Sequence, residues 1–164
     1  MASQRNNLRK NLFFWIAALI GLTLDQLSKY WVMNSFANLG ETMPILPGIF
    51  HFTYVVNTGA AFSLFLGGAG WLRWLSLIVS LGLMALAWFG VRMRLPEQLG
   101  YGLILSGAIG NGVCRFLYSH VVDFLDFRWI QFPVFNLADT FINIGIAFLL
   151  YSAFLETRVG DRNR

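Results

Sequence analysis

Charge and cysteine are both scarce in this chain. Of its 164 residues only 12% are charged, while 57% are hydrophobic. A soluble domain this short has too little interior to hide that much apolar surface, so lipid must cover much of it. A single cysteine, Cys114, excludes an intramolecular disulfide and a thiolate metal cage, and leaves the redox compartment unreadable. The two histidines, His51 and His120, and the scattered carboxylates lack the spacing of a metal site, so neither a metal nor any other cofactor is expected. With four prolines and no long Pro/Ser-rich or low-complexity stretch, nothing serves as an interdomain linker, and no internal repeat is evident. One integral-membrane domain over residues 1–164 is the expectation.

The formal net charge is +4, and its basic residues gather beside the ends of apolar runs: Arg5, Arg9 and Lys10; Arg92 and Arg94; Arg158, Arg162 and Arg164. This pattern speaks of membrane topology, not of nucleic-acid binding, because Lys and Arg flanking spans collect on the cytoplasmic side. Four stretches are long enough to cross a hydrocarbon core, which needs about 20 helical residues: 12–33, 71–91, 99–117 and 136–155. Four spans put both termini on one side. Every Lys and Arg except Lys29, Arg73, Arg115 and Arg128 falls on that side, which is therefore cytoplasmic. The first stretch starts like a cleavable signal peptide, but no small-residue A-x-A site follows and residues 30–33 prolong its apolar character, so it is expected to be retained.

Between the first two spans, His51-Phe-Thr-Tyr-Val-Val56 is rich in β-branched and aromatic residues and leads into the turn-like Asn57-Thr-Gly59. A short strand and a turn are predicted there. Gly67-Gly68-Ala-Gly70 reads as a breaker before the second span, and the 92–96 loop joins two antiparallel helices with Pro96 suited to a helix start.

Helical rise assigns a depth to each polar residue. At 1.5 Å per residue, Asp25 lies about 20 Å and Lys29 about 26 Å from the cytoplasmic end of the first span. Asn111 and Arg115 lie at about 18 and 24 Å along the third, and Asp139 sits within a turn of the outer start of the fourth. Asp25/Lys29 and Asn111/Arg115 are i,i+4 pairs, each placing two polar groups on one helix face. With Asn136, and with Asp123 in the outer loop 118–133, they form a polar pocket at one level near the outer interface, where ionisable groups are expensive and usually functional.

Each residue also has a structural reading. Asp25 and Lys29 neutralise one another or support a site; Asn136 and Asp139 have the spacing of an N-cap and an acidic N3 residue. Asp123 and, more so, Asp126 read singly as solvated loop carboxylates, Arg115 as a snorkelling side chain, and His51 as structural or interfacial. Cys114 and His120 are six residues apart and share no helical face, which argues against a thiol protease. A proton- or ion-coupled transporter uses similar intramembrane charges, but here they cluster at one face and no inverted repeat is evident.

Four stretches together, Asn57-Thr-Gly-Ala-Ala-Phe-Ser63, Gly110-Asn111-Gly-Val-Cys-Arg115, Val121-Val-Asp-Phe124 and Phe135-Asn-Leu-Ala-Asp139, resemble those of the lipoprotein signal peptidases, also called signal peptidase II. The resemblance runs from Asp25 into the fourth span. It implies a bacterial inner-membrane aspartic endopeptidase that is all-α, with four transmembrane helices and a small extracytoplasmic β-platform, or cradle, between spans one and two. It implies both termini in the cytoplasm, a site facing the outer, periplasmic side, no metal and no cofactor. The partners implied are membrane lipid and a diacylglyceryl-modified prolipoprotein, cut N-terminal to its lipidated cysteine. Asp123 and Asp139 match the family's catalytic pair, while Asn57, Asn111, Arg115, Asn136 and Ala138 match its substrate-binding positions, and Asp25 and Lys29 its structural support. Cys114 departs from the aspartate the family usually carries before that arginine, which removes a polar partner but no catalytic group.

Overall fold

The computed structural model describes residues 10–59, 70–130 and 132–162, with the backbone alone for 158–162. Gly67 and Gly68 of the expected breaker, residues 60–63 of the Asn57 motif, and Arg5, Arg9 and Arg164 lie outside the described residues. The described residues form four α-helices: α1 (Leu12–Ser35), α2 (Gly70–Phe89), α3 (Leu95–Tyr118) and α4 (Leu137–Arg162). They also form three strands, β1 (Thr42–Leu46), β2 (Phe50–Asn57) and β3 (Val121–Phe127), and a short 3-10 turn at Arg128–Ile130. Among the described residues, α1, α2 and the Leu137–Thr157 part of α4 are long and apolar enough to cross a membrane.

The helices carry their hydrophobicity outward. On α1 the buried positions are Phe14, Ala18, Gly21, Asp25, Lys29 and Val32, a stripe at three- and four-residue spacing that includes both of its charges. Its other faces expose Leu19, Ile20, Leu24, Leu27 and Tyr30. In water that arrangement would be costly; in lipid the chain tails cover the outside and the polar groups meet protein. Helix α3 is the centre of the bundle and packs against α1, α2 and α4. Its buried residues are mostly small: Gly100, Gly102, Ser106, Gly107, Ala108, Gly110 and Gly112 among them. Small residues let backbones approach where no hydrophobic force drives helices together. A Cβ on Gly102 would stand 2.5 Å from the Phe14 carbonyl oxygen of α1, and one on Gly107 would collide with the Ala138 carbonyl oxygen and stand 2.6 Å from Ile142 Cγ1 of α4.

The sheet caps one end of the bundle. Its order is β1-β2-β3, antiparallel throughout, with Thr53 opposite Thr42 and Val55 opposite Asp123. The platform expected between the first two spans is thus larger than the sequence suggested. It gains β1, β2 spans 50–57, and its third strand comes from between α3 and α4, where a loop was expected. The reason is local: Ser119 takes a left-handed conformation (φ 63°) that ends α3, and the chain enters β3 two residues later. The β-rich Val121-Val-Asp-Phe-Leu-Asp-Phe127 then pairs with β2. Val32, Phe36, Val122 and Phe124 form a buried core that joins the end of α1 to the sheet. On the far side of β3, Phe135 pairs with Leu125, donating to its carbonyl at 3.1 Å and accepting from its N–H at 2.7 Å. That pairing brings the start of α4 alongside Asp123.

Glycine should therefore be worth most where α3 meets a neighbour. Gly107→Ala is expected to cost about 1–3 kcal/mol by overpacking. Gly82→Ala, on a face of α2 with nothing within 4 Å, should be neutral or stabilising by up to about 1 kcal/mol through helix propensity. Thermal unfolding in detergent separates the two, and equal shifts would contradict close packing at Gly107.

Candidate active site

Each polar residue arrives on its own element. Asp25 and Lys29 lie one turn apart on α1, Asn111 and Arg115 one turn apart on α3, and Asn57 closes β2. Asp123 is on β3, and Asn136 caps α4 with Asp139 in its first turn. Asp25, Lys29, Asn136 and Asp123 are all at most 2% exposed, and Asn111 is buried. In a low-dielectric site each must find partners.

Lys29 sets the pattern. Its ammonium, which has only donors, reaches Asp25 Oδ2 at 2.9 Å and Asn111 Oδ1 at 2.9 Å. That fixes which end of the Asn111 amide is oxygen, so Asn111 Nδ2 donates to Asp139 Oδ1 at 2.8 Å. Asn111 Oδ1 also accepts from Asn136 Nδ2 at 3.1 Å, and the same nitrogen donates to Asp123 Oδ1 at 2.6 Å. The oxygen of Asn136 is then free to cap α4, accepting the Asp139 N–H at 3.0 Å. Asn57 Nδ2 donates to the other oxygen of Asp123 at 2.9 Å. Asp25 Oδ1 accepts the Ala138 N–H at 2.9 Å, which is how Ala138 enters the network: through its backbone.

All the expected site residues but one join this hydrogen-bonded chain. Arg115 interacts electrostatically with Asp123 and Asp139. Asp25 and Lys29 are more than a neutralising pair, since they tie α1 to α3 and α4. Asp123 is no solvated loop carboxylate. Burial, with Asp139 nearby, pushes its carboxyl up to about 6 against the opposing hydrogen bonds of Asn57 and Asn136 and the charge of Lys29. Asp126 is likewise buried, which corrects the solvated reading: Thr53 Oγ1 donates to it at 2.6 Å and Arg128 Nε at 3.0 Å. Burial alone would raise its carboxyl, but those hydrogen bonds and the Arg128 charge hold it below its ordinary value. His51 is structural, its ring between Thr42 Oγ1 and the Gly48 N–H. Cys114 is buried and free.

Two residues escaped the sequence reading. Gln26 bridges Asp25 Oδ2, at 2.9 Å, and the Gly110 carbonyl, at 3.2 Å. Gly110 must lack a side chain, because a Cβ there would fall on Asp25 Oδ2. A glycine directly before Asn111, on a helix expected to bury polar groups, was the available signal.

Helices of spanning length around a buried polar centre, closed at one end by a sheet, define an integral membrane protein with an enclosed site. Residues 17–155 match the family described as Signal peptidase (SPase) II, and the chain belongs to this family of proteases. It is 66% identical over 156 residues to the lipoprotein signal peptidase of Gloeothece citriformis, covering 95% of this chain and 98% of that protein. It is 57% identical over 155 residues to that of Thermosynechococcus vestitus, covering 93% and 98%. A solved bacterial membrane enzyme, determined by the in meso method at 2.3 Å, superposes with a TM-score of 0.78 at 26% identity, covering 87% of each chain.

Two outcomes test the network. The Asp123 carboxyl should titrate near pH 6 by carbon-13 NMR. In Asn57→Ala, which removes a hydrogen bond to the carboxylate, it should titrate higher; an unchanged or lower midpoint would contradict the geometry. Lys29→Met leaves Asp25 buried without its cation and should cost about 3–5 kcal/mol, with partial recovery in Asp25→Asn/Lys29→Met. An unfolding temperature equal to that of the parent would show that Lys29 does not hold the site.

Proposed function

We propose that this chain is an aspartic endopeptidase that removes the signal peptide of diacylglyceryl-modified prolipoproteins, cutting N-terminal to the lipidated cysteine. The observation that carries this reading is the pair of carboxylates, Asp123 and Asp139, each held by a side-chain amide, from Asn136 and Asn111 respectively. Two such groups in a poorly solvated site resist ionising together, so they share one proton at working pH. One carboxylate takes a proton from water as its oxygen attacks the scissile carbonyl carbon, and the other protonates the carbonyl oxygen. Collapse of the tetrahedral intermediate breaks the C–N bond, with a proton passing to the departing amine. Asn57, Asn111 and Asn136 orient the pair, the Arg115 guanidinium balances its charge and meets the substrate backbone, and the Ala138 region lines the substrate path.

The topology that suits this chemistry has four spans. Helix α3 is 24 residues long, so at about 36 Å it exceeds a hydrocarbon core of about 30 Å. Its low hydropathy follows from being wrapped by protein. Lys10, Arg92 and Arg94 gather at the end away from the aspartates, which supports a cytoplasmic location for that end and a site facing the periplasmic side of a bacterial inner membrane. Exposed Ile49, Trp129, Ile130 and Phe132 around the sheet suit the lipid interface. A diacylglyceryl group buried at about 0.8 kcal/mol per CH₂ holds the scissile bond at this depth. The whole chain acts as one domain, with substrate and membrane lipid as its partners and no nucleic acid. An ion-coupled transporter finds no support, since the buried carboxylates and Lys29 cluster at one end of the bundle instead of forming a path through it.

The test is turnover of a lipidated prolipoprotein, followed as a mass shift. Asp123→Asn and Asp139→Asn should each lower kcat by about 10²–10⁴-fold with substrate still bound. Near-parental cleavage by either variant would overturn the pairing. Arg115→Ala should mainly raise KM.

A further inference from the structure

At the end of the bundle opposite the aspartates lies a cavity of about 380 Å³, lined by Lys10, Leu12, Phe13, Arg92, Met93, Arg94, Leu95 and Gln98. From Leu12 to Asp25 is about 20 Å along α1, so the cavity is separate from the site described above. Its volume falls within the range of ligand-holding pockets, about 300–1,000 Å³. Its walls are fixed by buried side chains. Asn11, fully buried, donates to the Ala87 carbonyl at 2.9 Å and accepts the Met93 N–H at 3.0 Å. Gln98 donates to the Met93 carbonyl at 2.9 Å and accepts the Phe13 N–H at 3.1 Å.

Three cations line this preformed space, and among the described residues only Arg94 has an acidic partner. Arg94 pairs with Glu156 at 3.0 Å. The Lys10 ammonium donates to the Gly90 carbonyl, and among the described residues neither Lys10 nor Arg92 meets a carboxylate. Beside these charges the rim is apolar: Leu12, Phe13 and Leu95 are each about half exposed, at 47, 49 and 51%. A small soluble anion has no use for such a rim. A lipid does, because its phosphate and its acyl chains are joined in one molecule. We propose that the cavity is a binding site for an anionic phospholipid of the leaflet facing the chain termini. The phosphate sits against Lys10 and Arg92 and the acyl chains run over Leu12, Phe13 and Leu95. The site clamps the start of α1 to the α2–α3 link and does not depend on the peptidase reading.

The experiment uses the full chain in phosphatidylcholine nanodiscs doped with phosphatidylglycerol, with retained lipid read by native mass spectrometry. The parent should retain phosphatidylglycerol in preference to phosphatidylcholine. Arg92→Gln should weaken it about fivefold, and Lys10→Gln/Arg92→Gln about 30-fold, at one surface cation's contribution each. Arg92→Lys, which keeps the charge, should bind like the parent. Among the described residues Arg92 is exposed and makes no ion pair, so Arg92→Gln keeps the test open even if the Lys10 change unfolds the chain. Equal retention of both lipids by the parent, undiminished retention by Arg92→Gln, or binding of soluble glycerol phosphate as tight as that of the lipid would each overturn the proposal.

Discussion

One ammonium group organises the polar centre of this protein. Lys29 can only donate, and by donating one hydrogen bond to Asp25 and another to Asn111 it decides the orientation of the Asn111 amide and, through it, of Asn136. Asn111 must turn its nitrogen to Asp139, and Asn136 must turn its nitrogen to Asp123 and its oxygen to the start of α4. Asp25, Lys29, Asn111, Asn136 and Asp123 are buried and lack water as an alternative, whereas Asn57 and Asp139 at the edge are only half-buried, so the interior of the arrangement has few competitors.

That constraint explains features of the helices that otherwise look like weaknesses. Helix α3, which unlike its three neighbours is not apolar enough to count as a span by composition, lies at the centre because it carries the amide at the junction of the network and the glycines that let those neighbours approach. Gly110 yields its side-chain space to Asp25. The outward faces of α1, α2 and α4 carry the large apolar residues because lipid is their solvent. The sheet then holds Asp123 from the side, using β2 through Asn57 and the short pairing of Leu125 with Phe135.

The two ends of the bundle use charge differently. At the sheet end, cations are consumed by carboxylates and amides in a closed network. At the other end, Lys10 and Arg92 face a cavity with an apolar rim and have no acidic partner among the described residues. A closed network suits groups that must be held in one orientation and protonation state; an open one suits an anion that arrives from the membrane.

Much was legible in the sequence because the bilayer imposes it. Hydrocarbon thickness sets helix length, and a charge at that depth cannot be accidental, so the helix positions and the level shared by Asp25, Lys29, Asn111 and Asp139 followed from counting residues. The motifs supplied the family. Other features depended on pairings between distant segments, which no local pattern encodes. Val121 to Phe127 read as a loop because its strand exists only by pairing with β2, and Asp123 and Asp126 read as solvated because burial is a property of that pairing. Likewise, Asp25 and Lys29 formed a predictable i,i+4 pair, but only the approach of α3 and α4 made them the support of a site, since the Asn111 amide and the Ala138 N–H lie 82 and 113 residues further along the chain.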